Sequence, residues 1–222
     1  MNVAGLLLLI FLNGTGKISS GTDYRLLIEY NLLGEHKPKW EAYSQALRGY
    51  KEIQEEQNLN ENKPYLTIID FTLPSFEKRL WLIDMASNKI LYYTYVAHGK
   101  NSGGIMAERF SNTPQSYQSS LGFYLTGDTY HGKNGYSLYL RGLEKGINDK
   151  AMDTAIVMHG AWYANESMIK KFGRLGRSYG CPSIPENIHK EVINSISHNT
   201  ILFIYHSSKE YQTNSRFLLD SN

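Results

Sequence analysis

The sequence predicts a mainly β domain with a few α-helices. Three observations carry this: short runs rich in branched and aromatic residues, turn chemistry between those runs, and an amphipathic segment ahead of them. That segment, residues 38–57, predicts a helix. Pro38 suits a first turn, and Trp40, Tyr43, Leu47, Tyr50 and Ile53 recur at spacings of three and four. The polar stretch 58–63 reads as a linker, and Pro64 opens the β region. Strands are expected over residues 66–71, 79–84 and 90–97, with Ala86-Ser87-Asn88-Lys89 joining the second to the third as a hairpin. Further strands are expected over 122–126, 137–141, 155–158 and 201–205. Between the third and fourth runs a loop rich in Gly, Ser, Asn and Pro, residues 98–120, is long enough to suggest function. Two late helices are expected. Asn165 can cap one over 166–172, stopped by Gly173. Ser183 or Pro185 opens the other over 186–197, where Ile188, Val192, Ile193 and Ile196 form one apolar face.

The 222 residues, 41% hydrophobic and 20% charged, fit one globular domain with extensions at its ends. A net charge of +2 gives no argument for nucleic acid or a membrane surface as partner. Seventeen tyrosines are compatible with stacking on sugars or lining peptide grooves, and equally with packing in a β protein. Residues 5–12 are apolar but too few to span a bilayer, which takes roughly 20 residues. Small and polar residues follow, so residues 1–20 read as a signal peptide, although no Lys or Arg precedes the apolar run. Export follows as the expectation, with no stable membrane insertion after cleavage. The remaining organisation is then a helical extension and linker over 21–63, a main domain over 64–207 and a tail over 208–222.

The chain has one cysteine, so Cys181 makes no disulfide within it. In an oxidising compartment a free thiol needs a reason. Gly173, Gly176 and Gly180 leave its approach open, Pro182 fixes the chain beyond it, and Lys170, Lys171, Arg174 and Arg177 are expected to favour thiolate. A thiol is only slightly ionised at neutral pH, so a nucleophilic cysteine wants an imidazole nearby. Of seven histidines, His159 is the strongest candidate, ending a buried apolar run and followed by Gly160. His98 and His131 also precede glycine after β patterns. Zinc spacings and a phosphate-binding Gly-rich sequence are lacking, so neither metal nor cofactor is expected.

His159-Gly160-Ala161, followed after a spacer by Gly176-Arg177-Ser178-Tyr179-Gly180-Cys181-Pro182, resembles the signature of the YkuD-type L,D-transpeptidases, in particular their murein L,D-transpeptidase branch. The likeness includes Ile69-Asp70-Phe71, Val96-Ala97-His98-Gly99, Phe110-Ser111-Asn112, Ser119-Ser120-Leu121-Gly122 and Gly135-Tyr136-Ser137-Leu138, and covers roughly 65–206. It implies a β-sandwich-like, mixed-sheet catalytic domain working outside the cytoplasm, in the periplasm or cell envelope of a bacterium, on peptidoglycan stem peptides. It implies that Cys181 attacks the carbonyl of the third stem residue's L-centre and expels D-Ala, that His159 takes the thiol proton, and that the carbonyl of Gly160 holds the imidazole. An amine then resolves the acyl-enzyme. The N–H groups of Gly180 and Cys181 are the candidate oxyanion donors. Substrate-binding candidates are Tyr179, Ser178, Arg177, Arg174, His98, Ser120 and His131. The chain departs from many members at Tyr179, where His or Lys is common, and at Ser183, where Arg is common. Alternatives are an L,D-carboxypeptidase or amidase of the same fold, with water as acceptor, and a non-catalytic peptidoglycan-binding module. Papain-like peptidases fit less well, because their cysteine precedes their histidine.

Overall fold

The computed structural model describes residues 21–57, 59 and 62–219; the expected signal peptide lies outside them. The β-branched and aromatic runs form β1 (Tyr65–Asp70), β2 (Leu80–Asp84), β3 (Lys89–Thr94), β4 (Gly122–Gly132), β5 (Gly135–Gly142), β6 (Val157–Gly160), β7 (Ser183–Ile184) and β8 (Ile201–Tyr205). They make one mixed sheet in the order β3-β2-β1-β8-β4-β5-β6-β7. The β1–β8 and β6–β7 pairs are parallel and the others antiparallel. The sheet curls until its ends nearly meet. Just past β3, Ala97 N–H donates to Ser183 O of β7 at 2.8 Å, and Ser183 N–H donates back to Ala97 O at 3.4 Å. This pairing covers the edge that β7 would otherwise expose.

β1 and β8 lie at the centre and are almost wholly buried, which is why both read as near-continuous apolar runs. The β2–β3 hairpin turns where expected: Asp84 Oδ1 accepts from Ala86 N–H at 2.9 Å, and Asn88 takes a left-handed φ of 51°. Several boundaries moved for local reasons. Tyr95, Val96 and Ala97 leave the third strand, because Ala97 is committed to β7. Ala155 has φ 53°, which no strand residue adopts, so β6 starts at Val157. The last long helix is α4 (His189–Ile196), shorter than expected. Ser183 and Ile184 are a strand, and Pro185 O closes a turn with Ile188 N–H at 3.3 Å.

Helix α2 (Trp40–Glu56) matches its amphipathic pattern and packs on β1 and β8. The approach is so close that a Cβ at Gly49 would run into the Phe123 ring. It joins one continuous core with the sheet, as do Tyr211 and Phe217 of the C-terminal segment. Helix α2 is therefore a brace. Two further helices, α1 (Gly21–Leu32) and α5 (Lys209–Asn214), are additions to the expected set. Helix α3 (Glu166–Phe172) has its αL stop at Gly173, but Asn165 does not cap it; the Asn165 Oδ1 accepts instead from Glu186 N–H at 3.1 Å.

One buried carboxylate ties the tail to the sheet. Glu144 accepts from Tyr211 Oη at 3.0 Å, Ser215 Oγ at 2.9 Å and Phe123 N–H at 3.3 Å. Burial nevertheless raises its pKa from 4.5 to about 7. A raised carboxyl pKa means the folded state binds more protons than the unfolded state between those values. Stability should therefore fall as pH rises from 4.5 to 7, by roughly 3 kcal/mol in total. Glu144→Gln should flatten that slope in urea titrations run across the same pH range; a slope equal to wild type would refute the assignment.

Candidate active site

Near the end of β6, His159 is fixed between two neighbours, pairing with β5 (Ser137↔His159) on one side and β7 (His159↔Ser183) on the other. The ring is thus carried on a rigid strand end and is almost buried. Its Nδ1 lies 2.9 Å from Gly160 O. A carbonyl only accepts, so Nδ1 carries the proton and Nε2 presents the lone pair in the neutral ring. Burial lowers the His159 pKa below its ordinary 6.5, with the Gly160 bond opposing and His189 adding to the effect. The imidazole is neutral at physiological pH.

Cys181 lies in the turn before β7. Gly180 has φ 123°, and a Cβ there would stand 2.9 Å from Gln118 O, so the turn needs glycine. Ser178 closes the turn, its Oγ donating to Cys181 O at 2.6 Å and accepting from Gly180 N–H at 3.1 Å. Burial raises the thiol pKa above 9.0; the backbone N–H groups of Val157 and Cys181, and the charge of Lys133, oppose it. The thiol donates to Ala155 O at 3.7 Å, while His159 Nε2 meets Ser183 Oγ at 3.0 Å. Nucleophile candidate and base candidate are both uncharged, each engaged with a neighbour.

Cys181 and His159 share a cleft of about 770 Å³. Its walls come from the 111–120 loop, the β4–β5 hairpin, residues 151–156 and the turn 160–163. Among the candidates, Gly160, Ser120, Arg177, Ser178 and Tyr179 also line it. Their roles differ. Tyr179 is 66% exposed and leans on Tyr117 with ring centroids 4.9 Å apart, with the Lys100 ammonium over both rings. Arg177 spends its Nη1 on Lys100 O and Gly103 O, at 3.1 and 2.9 Å. Ser120 turns its hydroxyl inward to Tyr124 Oη at 2.6 Å.

Three candidates lie elsewhere. His98 is fully buried away from the cleft, its Nδ1 2.8 Å from Arg79 Nη2, and its pKa falls to about 3 through burial and the Arg79 charge. His131 is exposed at the end of β4, its ring against Tyr136. Arg174 folds back on Leu175 O at 2.8 Å. The basic run is also not what acts on the thiol. Lys170 pairs with Glu166 at 3.2 Å, Lys171 covers the Phe172 ring, and the cation whose charge lowers the thiol pKa is Lys133 of the β4–β5 hairpin. Of the expected oxyanion donors, Gly180 N–H is taken by Ser178, whereas those of Cys181 and Val157 face the sulfur.

Sequence reasoning missed Lys133 and Val157 and marked Ser183 only as a departure from the family pattern, because contacts made only in the fold bring them to the site. For Ser183 the available signal was that it replaces a residue the related sequences use.

A model of the L,D-transpeptidase catalytic domain matches residues 35–205. The chain belongs to the L,D-transpeptidase catalytic-domain family. That match takes in α2, which the sequence motifs alone had left outside. No curated protein sequence matches the chain. Solved structures similar to it include an L,D-transpeptidase from Mycobacterium smegmatis, 9% identical over 64% of this chain and 58% of that one, with a TM-score of 0.40. Another is the L,D-transpeptidase from Stackebrandtia nassauensis, 11% identical over 75% of this chain and 67% of that one, also with a TM-score of 0.40. The chain spans under three-fifths of the length of the Mycobacterium protein.

Proposed function

We propose that this L,D-transpeptidase-family protein is exported to the bacterial periplasm or cell envelope and exchanges peptide bonds in peptidoglycan stem peptides. The observation that supports this most is a free thiol and a neutral, carbonyl-held imidazole lining one cleft. On substrate binding the thiol leaves Ala155 O and gives its proton to His159 Nε2. Sulfur bonds to the L-centre carbonyl carbon of the third stem residue, and the bond to D-Ala breaks. The departing amine takes the proton from His159, leaving a thioester. The N–H groups of Cys181 and Val157, which already oppose the burial shift of the thiol, are the donors this reading assigns to the oxyanion. An amine then replaces the sulfur, giving a 3→3 crosslink or a protein attachment.

Incubation of the purified protein with tetrapeptide-containing sacculi, followed by mass spectrometry of the muropeptides, tests this. Dimers linked 3→3, or an amine-linked stem, are expected. Tripeptides alone would make water the acceptor and the protein an L,D-carboxypeptidase, and unchanged tetrapeptides would remove the catalytic reading.

A further inference from the structure

Behind His159 a second hydrogen-bonded chain leads back to the cleft. Since Nδ1–H is spent on Gly160 O, the Ser183 hydroxyl donates to Nε2, and the lone pairs of Ser183 Oγ face Tyr163 Oη at 3.0 Å. Ser183 is wholly buried, whereas Tyr163 lines the cleft. The imidazole therefore has a connected route to the cleft that does not pass through the sulfur.

The cleft into which that route opens also holds a carboxylate. Glu186 lines the same cleft and stands three residues after Ser183, so it lies within about 10 Å along the chain. Asn165 holds it from both sides: Oδ1 accepts from its N–H at 3.1 Å, and Nδ2 reaches its Oε2 at 3.5 Å. Among the described residues the Glu186 carboxylate has no cationic partner, and it is the single acidic side chain in the cleft lining. The nearby Glu166, by contrast, is already paired with Lys170. Trp162 adds an indole that is 62% exposed at the same end. A carboxylate, an open aromatic face and a relayed hydroxyl together form a receptor for a primary ammonium.

We propose that Glu186 and Trp162 bind the acceptor ammonium of a second stem peptide, and that Tyr163 and Ser183 carry its proton to His159. This rests on the transpeptidase reading above. The bound ammonium must lose one proton to become a nucleophile and a second as the amide forms. The first leaves to solvent while Glu186 and Trp162 hold the amine. In the attack, nitrogen bonds to the thioester carbon and the carbon–sulfur bond breaks. The second proton passes to Tyr163 Oη as the Tyr163 proton passes to Ser183 Oγ and the Ser183 proton to His159 Nε2. His159 then returns one proton to the departing thiolate, restoring thiol and neutral imidazole.

The test separates donor from acceptor. A tetrapeptide stem with an acetylated side-chain amine can only donate, and a tripeptide stem with a free side-chain amine can only accept. The ratio of amide to acid product reports partitioning of the acyl-enzyme, independent of how fast it forms. Glu186→Gln should raise the acceptor KM about tenfold and lower that ratio about tenfold. Tyr163→Phe should leave acceptor KM close to wild type, cut the limiting aminolysis rate at least about tenfold, and move its optimum to higher pH. A Glu186→Gln ratio equal to wild type overturns the ammonium site, and a Tyr163→Phe pH profile equal to wild type overturns the relay. Wild type that acylates but yields only acid at saturating acceptor overturns both. Wild type that forms no acyl-enzyme overturns the transpeptidase reading itself.

Discussion

His159→Ala should lower the rate of Cys181 acylation by about 10²–10⁴-fold at pH 7. The thiol pKa is raised by burial, so hardly any thiolate exists without a base to take the proton. His159 can serve because burial lowers its pKa and leaves Nε2 unprotonated. The direction of that shift sets the pH dependence: the wild-type rate should stay level through the ordinary imidazole value of 6.5 and fall only below it. In His159→Ala the remaining rate should climb with pH toward the thiol pKa, as direct ionisation takes over. Intact-mass analysis after exposure to a carbapenem measures both. Cys181→Ser should give no adduct, and His98→Ala and His131→Ala should retain measurable rates. A dead His131→Ala beside an active His159→Ala would reverse the assignment of the base.

Arg79→Met should destabilise the fold by about 3–5 kcal/mol. Arg79 is wholly buried, its Nε and Nη2 on Val96 O at 3.1 and 2.9 Å, its Nη1 on Leu73 O at 2.8 Å and its Nη2 on His98 Nδ1. Phe71 lies against the guanidinium at 4.8 Å. Burial lowers its pKa to about 9, which still leaves it charged at neutral pH. Methionine fills much of the volume but strands two carbonyls and a ring nitrogen, each costing about 1–3 kcal/mol when left unpaired. Urea unfolding at pH 7 measures the loss; a change under 1 kcal/mol would refute it. His98 belongs to this network, so its Ala97-His98-Gly99 segment serves the architecture around Arg79 rather than the chemistry of the cleft.

The parts legible in the sequence are those with local periodicity or a fixed local spacing. The central strands, α2, the Asp84 hairpin and the Gly173 stop each depend on neighbours within a few residues. His159 and Cys181 are legible as site candidates through their glycine settings and their order, and the structure brings both to one cleft. What was not legible depends on distant partners. Strand β7 has two residues, too few for any period, and exists because Ala97 and His159 flank it. Lys170, Lys171 and Arg174 are near Cys181 in sequence but turn away from it, whereas Lys133, nearly fifty residues upstream, acts on the sulfur through the fold. The direction of the thiol's shift was misjudged for the same reason: burial outweighs charge, and burial is a property of the whole packing.

The meeting of the sheet's two ends has a consequence for how activity is lost. Ser183 is at once the partner of Ala97 across the seam, the neighbour of His159 and the second residue after Cys181. The nucleophile candidate is therefore held at the seam, between the two-residue β7 and the bonds of Ser178 to His98 and Lys100, rather than on the broad central ladder. An opening that parts β7 from β6 as well as from Ala97 takes Ser183, and with it the Cys181 turn, away from His159 while β1 and β8 remain paired. The candidate site thus depends on the shortest strand of the sheet, and warming should part Cys181 from His159 while most of the strands are still intact.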